Sequence, residues 1–224
     1  MKYRPTTEVV LDQLTFKALP GEKVGVVGRT GAGKSTICLS LSRIVEIVGG
    51  SIVIDGEDIS KLDLKDLRAS ITVIPQDPTM FTGTLRFNLD PESTCSDERI
   101  LEVLKKASLE DLLNREDKGL LTELTENGQN LSSGERQLIC ICRAILRSSK
   151  VVILDEATAN IDVVTEQKIQ TLIAEEFKQS TMITIAHRLN TIIKSDKVMV
   201  LSFGKILEYD SPSRLLSDES SHFS

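Results

Sequence analysis

Gly28-Arg29-Thr30-Gly31-Ala32-Gly33-Lys34-Ser35-Thr36 puts three glycines, a lysine and adjacent hydroxyls into one short run, a combination suited to holding phosphate. Glycines at 28, 31 and 33 let the backbone curl so that successive N–H groups, and the positive end of a following helix, point at an anion. Lys34 adds a mobile cation, and Ser35 a hydroxyl of the kind that completes the oxygen shell of a Mg²⁺ ion bridging two phosphates. The apolar run Val24, Val26, Val27 precedes the loop and a helical pattern follows it, which is the strand, loop and helix context this chemistry requires.

Acidic chemistry is available at a second place. Val151-Val152-Ile153-Leu154 runs into Asp155-Glu156, and in an α/β sheet ligands collect at the carboxyl ends of the strands. Asp155 is therefore expected to hold Mg²⁺, directly or through water, and Glu156 to orient and deprotonate an attacking water. Read alone, the run is equally an ordinary buried strand entering a loop. His187 follows the apolar stretch Met182 to Ala186 and is expected to stabilise charge growing on a terminal phosphate. Gln76, after Ile71 to Ile74, has the same strand-end placement, and its amide could reach metal or water; a plain surface role fits it too.

A third constellation is Asn130-Leu131-Ser132-Ser133-Gly134-Glu135-Arg136-Gln137, which introduces the apolar helical stretch Leu138 to Leu146. Ser132 or Ser133 would serve as an ordinary N-cap. Ser132 and Gly134 at a helix N-terminus also make a second anion site with no obvious ligand in the same subunit, which points to a nucleotide brought by a partner.

These residues need a scaffold. Residues 1 to 20 alternate weakly and are expected to form antiparallel edge strands leading to the strand at Val24 to Val27. A helix is expected over 34–45, with Ile37, Leu41, Ile44 and Val45 on its buried face, then a strand Ser51 to Ile54 closed by an Asp55-Gly56 turn. About 78–147 reads mostly helical, including Asp97 to Leu109 behind Ser96 as N-cap, and is expected to be an inserted helical subdomain. Strand and helix then alternate through Val151 to Leu154, a helix 163–177 and Met182 to Ala186, which demands a parallel sheet. Lys197 to Asp210 reads as a hairpin broken at Gly204, and the serine-rich end after Pro212 as loose. The fold class expected is α/β: a P-loop NTPase core with a mostly parallel sheet, an N-terminal antiparallel β subdomain and the helical insertion, all in a single domain of 224 residues.

Bulk properties narrow the function. The net charge is −6 and the basic residues are scattered, so the chain has no electrostatic footprint for nucleic acid. Cys38, Cys95, Cys140 and Cys142 lack the paired spacing of a zinc site and read as reduced core thiols. No stretch approaches the roughly 20 apolar residues that cross a bilayer, so a cytosolic setting is expected, with any membrane role acting through a partner.

Taken in order, Gly28 to Thr36, Gln76, Leu131-Ser132-Ser133-Gly134-Glu135, Asp155-Glu156, Ala159-Asn160-Ile161-Asp162 and His187 resemble the motifs of ATP-binding cassette (ABC) ATPases over essentially the whole chain. The wording of the loop and the run Phe81 to Pro91 resemble the second nucleotide-binding domain of multidrug-resistance-associated transporters, subfamily C. The resemblance implies ATP and Mg²⁺ as cofactors, and two such domains facing head to tail. Each ATP would lie between the Gly28 to Thr36 loop of one and the Ser132 to Glu135 segment of the other. It implies that Tyr3 stacks on adenine, that Asp162 lies at the contact between the two domains, and that residues just after Gln76 touch helices of the transporter's transmembrane domains. This sets the chain at the cytoplasmic face of a membrane, as part of a transporter. Where the family's commonest signature has glycine and glutamine, this chain has Ser133 and Glu135; the extra carboxylate near a partner's phosphates would weaken closure unless an arginine such as Arg136 offsets it. In subfamily C the first domain often lacks the catalytic glutamate; the presence of Glu156 implies that this one hydrolyses ATP. The motor domain of an exporter is the leading reading. A nucleotide-gated dimerisation module with little hydrolysis and a soluble ABC ATPase of DNA repair or translation are the alternatives, the last disfavoured by the acidic balance and the lack of a long coiled coil.

Overall fold

The computed structural model describes residues 1–2, 8–155, 161–185 and 189–223. Its elements run β1 (Lys23–Gly28), α1 (Lys34–Leu41), β2 (Val53–Ile54), β3 (Glu57–Asp58), α2 (Leu64–Ser70), β4 (Ile71–Ile74), β5 (Gly83–Thr84) and α3 (Leu85–Leu89). There follow α4 (Asp97–Lys106), α5 (Glu110–Leu113), β6 (Glu123–Leu124), α6 (Ser133–Arg147), β7 (Val151–Asp155) and α7 (Val163–Glu176). The chain closes with β8 (Thr181–Ile185), α8 (Leu189–Ile192), β9 (Lys197–Ser202), β10 (Lys205–Asp210) and α9 (Pro212–Ser217).

Cα proximity divides the chain into two compact units, one of residues 1–73, 150–156 and 179–224, the other of 74–149 and 157–178. In the first, strands are ordered β10-β9-β1-β8-β7-β4. β1 pairs in parallel with both β8 and β9, and β7 in parallel with β8. The sheet is mostly parallel because helices separate its strands, and short turns cannot join parallel neighbours. Val24, Val26, Ile153, Ile183 and Met199 are buried in its core, as near-continuous apolar strands covered on both faces must be. The β9–β10 hairpin is antiparallel across the turn at Phe203-Gly204, as the sequence pattern predicts.

In the second unit α3, α4 and α7 pack on α6. α6 is buried along Leu138, Ile139, Ile141, Cys142 and Ile145, and α7 along Ile169, Leu172 and Ile173 with Phe177 just beyond. Ser96 caps α4 by accepting from the amide of Arg99 at 3.3 Å, and a two-stranded antiparallel piece, β5 with β6, joins the helices.

Several expectations fail locally. Residues 8–22 contain no strand; the antiparallel β of the N-terminal third is instead the hairpin β2–β3, closed by left-handed Asp55 and Gly56. α1 stops at Leu41 rather than 45 because Arg43 turns left-handed, φ 45°. Its guanidinium is drawn away to the carbonyls of Ile59 and Leu62, leaving Ile44 62% exposed instead of buried. The chain end is not loose: Pro212 opens α9, Ser221 Oγ and the His222 amide both donate to the Glu208 carboxylate, and Phe223 is buried against Ile192, Val198 and Leu215.

Candidate functional site

Gly28 ends β1 and is paired with Leu201 of β9. Its φ is 154°, and a Cβ there would stand 2.4 Å from the Leu201 carbonyl oxygen, so a side chain is excluded by a backbone that the sheet holds in place. The loop then curls: the Ala32 amide donates to the Arg29 carbonyl at 3.0 Å, and Ala32's own carbonyl is tied to the Gly204 amide at 3.1 Å. Gly33, left-handed at φ 102°, is the N-cap of α1 and gives it no side-chain cap; the first turn carries no acid. The amides opening α1 thus lack the usual capping acceptor. Ser35 and Thr30 are exposed beside them, Thr36 buried. Lys34 is 7% exposed, and its Nζ donates to the carbonyls of Gly28 at 2.8 Å and Arg29 at 3.2 Å. A helix start without a side-chain cap, with the Lys34 ammonium beside it, is the kind of donor set that suits an anion.

Asp155 ends β7. Strand register sets it level with Ile185 of β8, which in turn is level with Val26 of β1, so it reaches the sheet edge from which the loop springs. Its charge is felt on α1: burial pushes the Cys38 thiol up to about 12, and the Asp155 carboxylate adds to that push. Cys38 lies one turn beyond Lys34. An acid facing the helix that carries Lys34 and Ser35 is an oxygen ligand suited to Mg²⁺.

Gln76 is exposed just past β4. The residue before it is tied to α6, where Gln137 Nε2 donates to the Pro75 carbonyl at 3.4 Å. Arg143 donates to the Thr79 carbonyl at 2.6 Å and to Asn88 Oδ1 at 2.8 Å, with its guanidinium over the Phe81 ring. Phe81 and Phe87 pack edge to face yet remain 55% and 46% exposed.

Ser132 is the N-cap of α6, within a complete capping box. Its Oγ accepts from the Glu135 amide at 3.2 Å while Glu135 Oε2 accepts from the Ser132 amide at 2.8 Å. The amides of Ser133 and Gly134 have no acceptor within the helix. Glu135 is offset by arginine, but not by Arg136. Arg136 donates to the carbonyls of Gly128 and Leu131, whereas Arg115 Nη2 reaches Glu135 Oε1 at 2.5 Å. Arg136 directly follows Glu135, but on a helix neighbours one apart do not share a face. Gly134 packs on α7, where a Cβ would lie 2.8 Å from Thr165 Cγ2. Thr165 is held in turn by Asp162, the N-cap of α7, whose Oδ1 accepts its amide at 3.0 Å. That bond holds the Asp162 carboxyl below its usual value. The expectations for Tyr3, Glu156, Ala159, Asn160 and His187 fall outside the described residues.

Among the described residues no helix is long and apolar enough to cross a membrane, and no cluster of histidine, cysteine and acids forms a metal centre. Cys38, Cys140 and Cys142 are buried free thiols, as expected, and Cys95 is half-buried.

A parallel α/β sheet whose first strand ends in a glycine-rich anion loop, with an acid at a neighbouring strand end, defines a P-loop nucleotide-binding fold. The chain belongs to the ABC transporter family, whose model matches residues 11–159. ATP-binding cassette sub-family C member 2 of Rattus norvegicus is 53% identical over 223 residues, spanning 100% of this chain and 14% of its own length. Multidrug resistance protein mrp-7 of Caenorhabditis elegans is 51% identical over 222 residues, spanning 99% of this chain and 15% of its own. A bacterial Atm1-family ABC exporter, solved with ATP bound, superposes with a TM-score of 0.90 at 35% identity, covering 99% of this chain and 39% of that one. The chain thus spans about one seventh of these curated relatives.

Proposed function

We propose that this chain is the ATP-hydrolysing motor domain of an ABC exporter, pairing head to tail with a second nucleotide-binding domain. The observation that carries the reading is the union, at one sheet edge, of an uncapped α1 N-terminus, a buried Lys34 and the strand-end acid Asp155. The loop of residues 28–36 holds the triphosphate, with Arg29, Thr30, Gly31, Ala32 and Thr36 lining it, and Lys34 turns from the carbonyls of Gly28 and Arg29 to the terminal phosphates. Ser35, Asp155 and Gln76 are the oxygen donors for Mg²⁺, which when bound neutralises charge on the phosphates. Glu156 orients the attacking water and takes its proton, His187 steadies the terminal phosphate, and Tyr3 stacks on the adenine. Ser132, Ser133, Gly134 and Glu135 meet the nucleotide of the partner domain. Phe81 and Phe87, exposed on a segment clamped by Arg143, receive the transmembrane domains, which puts the chain at the cytoplasmic face of a membrane.

The purified chain should hydrolyse ATP at a rate rising more steeply than linearly with its own concentration. Glu156→Gln should slow turnover about 100-fold or more while ATP still binds. Turnover that is absent at high concentration, with binding intact, would favour a nucleotide-gated dimerisation module instead.

A further inference from the structure

Glu135 sets a carboxylate where a second molecule's triphosphate must arrive, yet it is not a bare charge. One of its oxygens closes the capping box on the Ser132 amide and the other meets Arg115 Nη2. Arg115 spans two elements, because its Nη1 also donates to the carbonyl of Asn130 at 3.2 Å, in the loop that leads into Ser132. Ser132, Glu135 and Arg115 form one connected unit. Arg136, the other nearby cation, is committed to the carbonyls of Gly128 and Leu131.

We infer that Arg115 is a positioning residue of the signature segment, cancelling the Glu135 charge so that the α6 N-terminus accepts a partner's triphosphate. The inference rests on the pairing reading above and adds to it a residue that no motif contains. A glutamine at position 135 could close the same capping box through its amide oxygen without carrying charge, so the arginine is needed only because the acid is there.

The pair's contribution should appear in association, not in folding. The side chains of Arg115 and Glu135 are 41% and 21% exposed, and exposed ion pairs contribute little to stability. An uncancelled carboxylate facing an incoming polyanion instead opposes the encounter, more strongly at low salt.

The test is a double-mutant cycle on the chain, read as the self-association constant in Mg-ATP by sedimentation at low and high salt, with thermal midpoints recorded in parallel. Arg115→Met, which keeps the aliphatic stem, should weaken association about tenfold at low salt and less at high salt, with little change in midpoint. In the Glu135→Gln background the same substitution should matter less than about twofold, and Arg115→Lys should keep most of the association. Equal losses from Arg115→Met in both backgrounds would show that Arg115 acts only by bracing Asn130 and would overturn the inference alone. A parent chain that binds ATP without associating at any concentration would overturn the inference together with the pairing on which it rests.

Discussion

Lys34 donates from Nζ to the carbonyl oxygens of Gly28 and Arg29, at 2.8 and 3.2 Å, so the ammonium closes the loop from which it springs. A triphosphate in the loop competes for that ammonium with two neutral acceptors, and charge-assisted bonds to an anion are the stronger. Hydrogen bonds to charged groups are worth about 1.5 to 3 kcal/mol each. Lys34→Ala should therefore weaken ATP binding roughly 10- to 100-fold. Titration with a fluorescent ATP analogue checks it; an unchanged affinity would remove Lys34 from the phosphate site.

Gly28 and Gly31 sit in the same loop but should respond differently to a methyl group. At Gly28 the added Cβ meets the Leu201 carbonyl at 2.4 Å, whereas at Gly31, φ 82°, nothing lies within 4 Å. The first carbonyl belongs to a strand paired with β1 and cannot retreat cheaply. Gly28→Ala should cost about 2 to 4 kcal/mol of folding stability by urea unfolding, through clash and backbone strain together. Gly31→Ala should cost only about 1 to 2 kcal/mol, the strain alone. Equal losses would mean that the β1–β9 pairing does not confine the loop.

This contrast also marks what could be read from sequence. The loop at 28–36, the acid at the end of β7, the Ser96 and Ser132 caps and the inward face of α7 follow from local pattern, because each depends on residues within a turn or two of one another. What closes those elements together does not. Arg115 reaches Glu135 from twenty positions away, Gly204 braces Ala32 across most of the chain, and the strand order β10-β9-β1-β8-β7-β4 is not the order of the sequence. Ile44 departs from its helical pattern for a related reason. Its helical spacing is sound, but the pull of the Ile59 and Leu62 carbonyls on Arg43 ends the helix before Ile44 can turn inward. Serine content at the chain end gave no sign that Glu208 would gather Ser221 and His222.

Asp90 should make the helical unit acid-sensitive. Burial pushes its carboxyl up, but the amides of Cys95 and Thr94, the Thr94 hydroxyl and Arg86 together more than offset this and hold it below the usual value. A carboxyl depressed on folding adds stability that is present above its unfolded pKa, about 3.9, and is lost as pH falls through the folded value. Asp90→Asn should lower stability at pH 7 by about 1 to 2 kcal/mol, since the Cys95 amide loses a charged acceptor. The gap between the two proteins should close as pH drops below about 4. Urea midpoints between pH 3 and 7 give the comparison; a gap constant with pH would show that the carboxyl is not titrating with folding.

The start of α6 and the start of α7 are locked by a single missing methyl. A Cβ on Gly134 would stand 2.8 Å from Thr165 Cγ2, and Thr165 cannot swing aside freely because it is β-branched and its amide is held by Asp162. Gly134→Ala should therefore push the Ser132 to Glu135 segment away from α7 and cost about 1 to 3 kcal/mol as overpacking. Thr165→Ser removes the atom in the way and keeps the hydroxyl, so the double variant Gly134→Ala/Thr165→Ser should recover most of that loss. If pairing of two chains depends on the relative placement of Ser132 and Asp162, ATP-driven association should fall in the single variant and return in the double. A destabilisation that Thr165→Ser leaves untouched would mean that the glycine is needed for its backbone rather than for the space beside it.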